Sequence, residues 1–411
     1  MPDGEQWIHG AVDRLLMEQG EYVPVELLLR LGRLPYARYE AWRHGEEAGY
    51  LEDALADSAE PVAWVLAVAA AWAEGLGLLA AEETYRGWGT HADATLRLAR
   101  SPDLERPLRT HYRRAPAPTP QLDLFLDGGS TAALNELIEA LVARNPERAE
   151  RRLSLLVTRY PDHHHRRAAE GLCDALARLQ DPRPFDPAAE VTFLETRLEP
   201  LARTLLGRRA RDFLAPFWRR AAEALEGQPF DPERDRVHAS WAFAQCLDWQ
   251  AVVDRLQGVS EEDSPPLLVG RLAEALHRLG RRPDAIARWC RLCWQAPEHA
   301  ARVLDDPTFP DPRVKQAWDA WLDQDVDPDP SPEWFPVWLL LQEPGLARAL
   351  GDDTAGSTLG PQRAFAILRQ LLRREAVAGE EDLQVDARRA LQQLHPGLLQ
   401  LYLRRRDHAV P

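Results

Sequence analysis

Two cysteines three residues apart offer the most recognisable chemistry in this sequence. Cys290 and Cys293 form a Cys-x-x-Cys pair, and His277 and His299 lie nearby along the chain. Thiolate and imidazole groups bind zinc and serve redox or nucleophilic sites. Residues three apart in a helix also share one face, where two small apolar side chains suit a buried core. No second Cys-x-x-Cys is present, so we favour packing, with a thiol or metal site as the alternative.

Acidic clusters are the other candidates for chemistry, at Glu82–Glu83, Glu261–Asp263 and Glu380–Asp382. Paired carboxylates act as acid and base only when a cleft brings them together. These clusters lie at predicted helix starts or loops, where the helix dipole favours negative charge. The sequence has no phosphate-binding, dinucleotide-binding, zinc-protease or serine-hydrolase signature. We therefore predict no catalytic residue, no metal ligand and no cofactor.

The charge balance restricts the class of partner. The chain has 50 basic and 65 acidic residues, which gives a net charge of −15. A protein that grips phosphate backbones needs a basic surface. We therefore expect protein partners and no direct binding to nucleic acid, and the oligomeric state stays open.

The most apolar stretch, Pro61 to Ala81, is rich in alanine and contains Glu74. A buried helix is a better prediction for this stretch than a membrane span. The first ten residues have neither the basic run nor the apolar segment of a signal peptide. Four cysteines are too few for a disulfide framework. These observations predict a cytoplasmic protein that does not enter a membrane.

The spacing of apolar residues predicts an all-α fold. Apolar positions recur at helical intervals, for example at Leu134, Leu137, Ile138 and Leu141, and alternating runs of β-branched residues are missing. Most of the 33 prolines and 24 glycines lie between such segments, where they end one helix and begin the next. We see no strand signal.

The distribution of proline suggests four segments. Residues 1–114 form an N-terminal helical domain. In Ala115 to Pro120 every second residue is proline, which predicts an extended spacer. The spacer and a short motif occupy 115–130, helix pairs occupy 131–324, and a break at Asp325 to Pro332 precedes a C-terminal helical cap at 325–411.

The segment Val269 to Pro297 resembles a tetratricopeptide repeat, a pair of antiparallel helices with fixed small and bulky positions. The residues that match the family pattern are Leu272, Ala273, Gly280, Ala285, Trp289 and Pro297. Leu276 stands where the family usually has tyrosine, and Leu292 replaces a small residue. The segment Ala133 to Pro161 is a weaker match, in which Arg144 replaces the turn glycine. The resemblance implies a helix-pair solenoid with degenerate units between the two matches.

A short segment after the spacer consists of Gln121, Leu122, Asp123, Leu124 and Phe125. It resembles the bacterial motif that binds the DNA polymerase sliding clamp, a Gln-Leu-(Ser/Asp)-Leu-Phe peptide. The resemblance implies that the glutamine amide bonds at the mouth of a pocket and that the apolar side chains anchor in it. Alternatively, the apolar residues pack under the following helix, whose start we predict at Ser130 or Thr131.

These patterns lead to one functional hypothesis and two alternatives. The chain is predicted to be a non-enzymatic interaction scaffold that is recruited to the sliding clamp through Gln121–Phe125. One alternative is a helical-repeat scaffold that binds peptides and makes no clamp contact. The other is an enzyme with an unrecognised helical active site that involves Cys290, Cys293 and His299.

Overall fold

The computed structural model of the chain is mostly helical, as the sequence predicts. The structure describes residues 3–46, 49–56, 59–91, 93–114, 128–181, 183, 185–257, 264–325, 330–351, 359–374 and 381–409. The chain divides into two compact units, Met1–Arg255 and Leu256–Pro411. The boundary between these units falls inside the predicted segment 131–324, and the boundaries of the four predicted segments stay predictions. In the described ranges, no helix is both long enough and apolar enough to cross a membrane.

Among the described residues, the first unit begins with five helices, of which the first, second and fourth contribute to one apolar core. They are α1 (Asp3–Gln19), α2 (Pro24–Arg30), α3 (Tyr36–His44), α4 (Ala59–Gly75) and α5 (Pro102–Arg109). One stripe of α1, formed by Ile8, Val12 and Leu15, packs in the same core as Val65 and Ala69 of α4. Burial of each large side chain in this core contributes about 1.5–3 kcal/mol.

A small antiparallel sheet borders this core. Its strands are β1 (Glu21–Tyr22), β2 (Leu79–Glu82) and β3 (Thr110–Arg113), with β3 in the centre. Tyr22 and Ala80 both pair with Tyr112 of the central strand. The prediction that strands are missing is wrong here, because strands of two to four residues are too short to show an alternating pattern.

Helix α4 is buried on one face only. Val62, Val65, Leu66 and Ala69 are enclosed, whereas Trp64 on another face is 46% exposed. The sequence predicts a buried helix, and that prediction is wrong for the outer face. Alanine occupies both faces of the helix, so composition hides the periodicity that separates core from solvent.

The rest of the first unit is a series of helices. They are α6 (Gly128–Val142), α7 (Pro146–Arg159), α8 (Arg166–Leu179), α9 (Pro187–Phe193), α10 (Glu199–Leu206), α11 (Ala210–Ala224), α12 (Ala239–Gln245) and α13 (Trp249–Leu256). A π-helical turn, Leu194–Leu198, joins α9 to α10. Helix α6 begins at Gly128, before the predicted start at Ser130 or Thr131.

Helices α6 and α7 form a hairpin whose turn contains an unusual residue. The Asn145 side chain accepts a hydrogen bond from the backbone N–H of Arg148 and caps α7. Just before it, Arg144 has a φ of 53°, in the left-handed region. This is the position where the tetratricopeptide pattern has glycine, and a non-glycine residue there costs about 1–2 kcal/mol. The contacts of the Arg144 side chain offset that strain.

The second unit contains α14 (Pro266–Arg278), α15 (Arg282–Gln295), α16 (Pro297–Asp305), α17 (Pro312–Leu322), α18 (Phe335–Gln342), α19 (Leu346–Ala349), α20 (Gly360–Arg374), α21 (Glu381–Leu394) and α22 (Pro396–Ala409). Helices α14 and α15 pack along each other as a hairpin. Ala285 is fully buried at their contact, and Gly280 in the turn has a φ of 75°.

Aromatic residues fill the core of the second unit. Phe335 and Trp338 of α18 are buried. The ring centroid of Phe335 lies 5.2 Å from that of Trp318, and the ring centroid of Trp338 lies 5.9 Å from that of Trp321. The Trp338 indole N–H donates to the carbonyl of Ala317 at 2.9 Å. The segment Phe335–Trp338 therefore packs inside the unit.

Two glycines of the α14–α15 hairpin allow a matched test of this geometry. We expect Gly280→Ala to destabilise the fold by about 1 kcal/mol, because its φ is left-handed. Gly270 lies inside α14 with open space around it, so Gly270→Ala should stabilise the fold by about 0.5–1 kcal/mol. Urea unfolding followed by tryptophan fluorescence measures both changes. Equal effects of the two substitutions would contradict this turn geometry.

Candidate binding cleft

A cleft of about 490 Å³ opens in the first unit. Its described lining comes from α2, α3, β3, α6, α7 and α11 and from the segments 83–88 and 208–209. Charged and aromatic residues form most of its lining: Glu26, Tyr39, Arg43, Glu83, Tyr85, Arg86, Trp88, His111, Glu139, Arg148, Arg208, Arg209 and Asp212. This volume is typical of sites that bind small molecules.

The Arg144 guanidinium holds the wall of the cleft together. It donates from Nε to the backbone carbonyl of Asp212 at 3.0 Å and forms an ion pair with Glu40. Its Nη1 lies 3.3 Å from Nε2 of His44, and its Cζ lies 4.5 Å from the centroid of the Trp88 ring. Only 8% of the side chain is exposed. Arg144 therefore ties the α6–α7 turn to α3 and α11.

Glu40 is the carboxylate that balances this buried charge. It pairs with Arg144 through one oxygen and with Arg219 through the other, and 7% of its side chain is exposed. Burial opposes ionisation, but the two guanidinium groups outweigh it and lower the pKa of Glu40 below its ordinary value. Glu40 therefore stays ionised at neutral pH.

A second ion network lies beside the first. Arg211 donates to both oxygens of Glu26, at 2.6 and 2.8 Å, and to Oδ1 of Asp212 at 2.7 Å. The Tyr36 hydroxyl donates to the same Asp212 oxygen at 3.2 Å. Burial opposes ionisation of Asp212, yet Arg211 and Arg43 help to lower its pKa below the ordinary value. Burial and the Asp212 charge raise the pKa of Tyr36, so the phenol keeps its proton.

Arg43 lies among aromatic rings on the cleft wall. Its Cζ is 4.7 Å from the ring centroid of Trp88 and 5.7 Å from those of Tyr39 and Tyr85. These distances are typical of cation–π contacts. Within the described residues, Arg43 Nε and Trp88 Nε1 are buried donors without a hydrogen-bond acceptor.

Tyr85 and His111 form a neutral pair at the other side of the cleft. The Tyr85 hydroxyl lies 3.0 Å from His111 Nε2. Burial lowers the pKa of His111 and raises that of Tyr85, so both groups are uncharged at neutral pH. We assign the hydroxyl as donor and Nε2 as acceptor, which leaves the proton of the imidazole on Nδ1.

Of the acidic clusters singled out from the sequence, Glu82–Glu83 contributes Glu83 to the lining of this cleft. Gln121–Phe125 lie outside the described residues, and so does the proline-rich spacer. Cys290 and Cys293 lie in the core of the second unit, where burial raises the pKa of Cys290 to about 12 and also raises the pKa of Cys293 well above its ordinary value. Over the described ranges, no group of three His, Cys, Asp or Glu residues is arranged to hold a metal ion.

Sequence reasoning missed the cleft because its residues come from distant segments. One signal was present: Arg144 replaces the turn glycine of the weaker repeat match. A bulky charged residue at a left-handed turn position indicates a side chain with contacts strong enough to offset backbone strain.

Comparisons with known proteins find no match to this chain among family models, curated proteins or solved structures.

The buried ion pair of Glu40 and Arg144 can be tested by substitution. We expect Glu40→Gln to destabilise the protein by about 3 kcal/mol or more at neutral pH, because Arg144 loses its buried counter-charge. Glu139→Gln, which removes the partly exposed partner of Arg209, should cost less than about 1 kcal/mol.

The loss of stability caused by Glu40→Gln should also depend on pH. The pKa of Glu40 is lowered in the folded state, so its ionised form stabilises the fold above the ordinary glutamate pKa. That stabilisation is lost as the pH falls through the folded pKa. Urea unfolding at several pH values should show that the difference in the free energy of unfolding between wild type and Glu40→Gln becomes smaller in acid. A difference that does not change with pH would contradict the ionised pair.

The cysteines allow a test of the thiol-site alternative. Cys173, Cys246, Cys290 and Cys293 are all buried as free thiols. Because the reactive form is the thiolate, we expect none to react quickly with a thiol reagent in the native protein, and all four to react in denaturant. Fast reaction of one native thiol would instead indicate an accessible, activated cysteine.

Proposed function

We propose that this chain is a non-enzymatic protein-interaction scaffold that is recruited to the DNA polymerase sliding clamp through Gln121–Phe125. Helix pairs bind a partner protein, and the short segment connects that partner to the clamp. The protein would then act as an accessory factor in replication, repair or defence.

The helix hairpins carry the scaffold part of this proposal. Both segments that resemble tetratricopeptide repeats contain two consecutive packed helices, α6–α7 and α14–α15. In each hairpin a fully buried alanine of the second helix, Ala149 or Ala285, permits close approach. Each turn also has a left-handed residue at the corresponding place, Arg144 or Gly280. Scaffolds of this kind bind proteins along the surfaces of their helices.

The clamp part rests on the sequence of the segment. All five residues, Gln121 to Phe125, agree with the motif, and Ala115–Pro120 just before them favours an extended backbone. An extended peptide that is partly ordered before binding loses less entropy when it binds. Leu122, Leu124 and Phe125 supply the apolar anchors that usually carry most of the binding energy.

The two alternatives differ in their support. A scaffold without clamp contact is supported by the same hairpins and differs only at Gln121–Phe125. An enzyme that uses Cys290 and Cys293 has less support, because both thiols are buried with raised pKa values. A nucleophilic cysteine needs the opposite, an exposed thiol with a lowered pKa.

Clamp binding by the purified full chain tests the proposal. We expect wild type to bind a bacterial sliding clamp with a dissociation constant of about 1 μM or tighter, and the double variant Leu124→Ala plus Phe125→Ala to lose that binding. Surface plasmon resonance against immobilised clamp measures both. Circular dichroism shows whether the variant keeps its helical content.

A matched control removes apolar side chains elsewhere. Met17 and Leu155 are exposed residues of α1 and α7, and Met17→Ala plus Leu155→Ala should leave clamp binding unchanged. Absence of binding by wild type would refute clamp recruitment and favour the scaffold without clamp contact. Equal loss in both double variants would show that general hydrophobicity, not the motif, drives binding.

A further inference from the structure

The charges that line the cleft of the first unit do not cancel. Among its described carboxylates, Glu26 and Asp212 share one basic partner, Arg211, whose single charge balances one of the two. Glu139 forms an ion pair with Arg209. Two of the four negative charges in the described lining are therefore balanced by basic side chains.

The described lining contains more arginines than carboxylates that are still without a basic partner. Arg208 pairs with Glu21. Within the part of the chain that the structure describes, Arg43 and Arg86 form no ion pair with a carboxylate. The Nη1 of Arg148 lies 3.6 Å from Oδ1 of Asp93. The Asp93 side chain is 93% exposed, so solvent screens this ion pair strongly.

Glu83 is the remaining carboxylate of the lining, and no described basic side chain forms an ion pair with it. Three weakly matched arginines, set against Glu83 and the one uncompensated charge of the Glu26–Asp212 pair, leave a local charge of 3 − 2 = +1 among the described residues. His111 does not add to this charge, because its imidazole is neutral at neutral pH. The cleft is thus a cationic site on a chain whose net charge is −15.

Unused hydrogen-bond donors lie on the same wall. The Nε of Arg43 and the Nε1 of Trp88 are buried without an acceptor among the described residues, and Trp88 is 1% exposed. A buried donor without an acceptor costs about 1–3 kcal/mol, so an oxygen-rich ligand beside this wall would recover that cost. Guanidinium groups in particular match the oxygens of carboxylates and phosphates.

We propose that this cleft binds a small molecule that carries a phosphate group, with Arg43 and Arg86 as its main cationic contacts. A phosphate group offers three strong acceptor oxygens, against two for a carboxylate, and can therefore contact both guanidinium groups and a buried donor at once. The volume of about 490 Å³ suits a small molecule. The negative net charge of the chain disfavours a nucleic-acid polymer. The cleft residues substituted below all lie in the described ranges, so these variants leave the sequence of the proposed clamp-binding segment 121–125 unchanged.

Titration of the full chain with inorganic phosphate and with phenyl phosphate tests the proposal. Isothermal titration calorimetry at constant ionic strength should detect binding of both, with acetate at the same concentrations giving none. Arg43→Gln and Arg86→Gln should each weaken binding about tenfold or more, the effect of one lost charge-assisted hydrogen bond. Glu83→Gln should strengthen binding several-fold, because it removes an unmatched negative charge.

Arg159→Gln is the matched control, since Arg159 is an exposed arginine of α7 outside the cleft lining. It makes the same change in net charge and should leave binding unchanged. Arg86 is exposed at the rim, so Arg86→Gln remains informative even if Arg43→Gln fails to fold. Absence of phosphate binding by wild type overturns the proposal. Acetate binding as strong as phosphate binding would also overturn it, and so would an Arg159→Gln variant that weakens phosphate binding as much as Arg43→Gln or Arg86→Gln.

Discussion

The buried guanidinium of Arg144 must be matched by negative charge and by hydrogen-bond acceptors. Removal of a charge from water costs several kcal/mol per ion, and only close partners recover that cost. Glu40 supplies the counter-charge, the Asp212 carbonyl supplies an acceptor and the Trp88 ring supplies a polarisable face. The left-handed backbone of Arg144 adds strain that these contacts must also offset. The positions of α3, the α6–α7 turn and α11 all follow from this requirement.

The same requirement explains why the N-terminal helices and the following helix pairs belong to one compact unit. Glu40 and Arg144 are 104 positions apart in sequence, and Glu26 and Arg211 are 185 apart. Removal of either partner of such a pair leaves a buried charge without compensation, so the segments on both sides depend on each other. The proline-rich stretch between them suggests two independent domains, but composition cannot reveal ion pairs that span it.

Features that depend on neighbours along the chain could be predicted from the sequence, and features that depend on distant partners could not. The α14–α15 hairpin follows from apolar spacing, from Gly280 in the turn and from Ala285 at the crossing. The strand Thr110–Arg113 exists because two other short strands bond to it, and its four residues show no period. The cleft is harder still to predict, because Arg43, Trp88 and Asp212 lie far apart in the sequence and only the fold brings them together. Even so, an arginine where a repeat expects glycine marks the place where the fold departs from the pattern.

The cationic cleft also shows how little the net charge of a chain says about one site. At physiological ionic strength the Debye length is about 8 Å, so most of the 65 acidic residues are screened from any one point on the surface. Arg43, at 4.7 Å from the Trp88 ring centroid, acts on the cleft directly and in a medium of low polarity. A long polyanion would still meet the acidic surface outside the cleft, whereas a small anion would meet mainly the arginines inside it. An acidic protein can therefore repel nucleic acid and hold a small anion, because the two depend on charges at different distances.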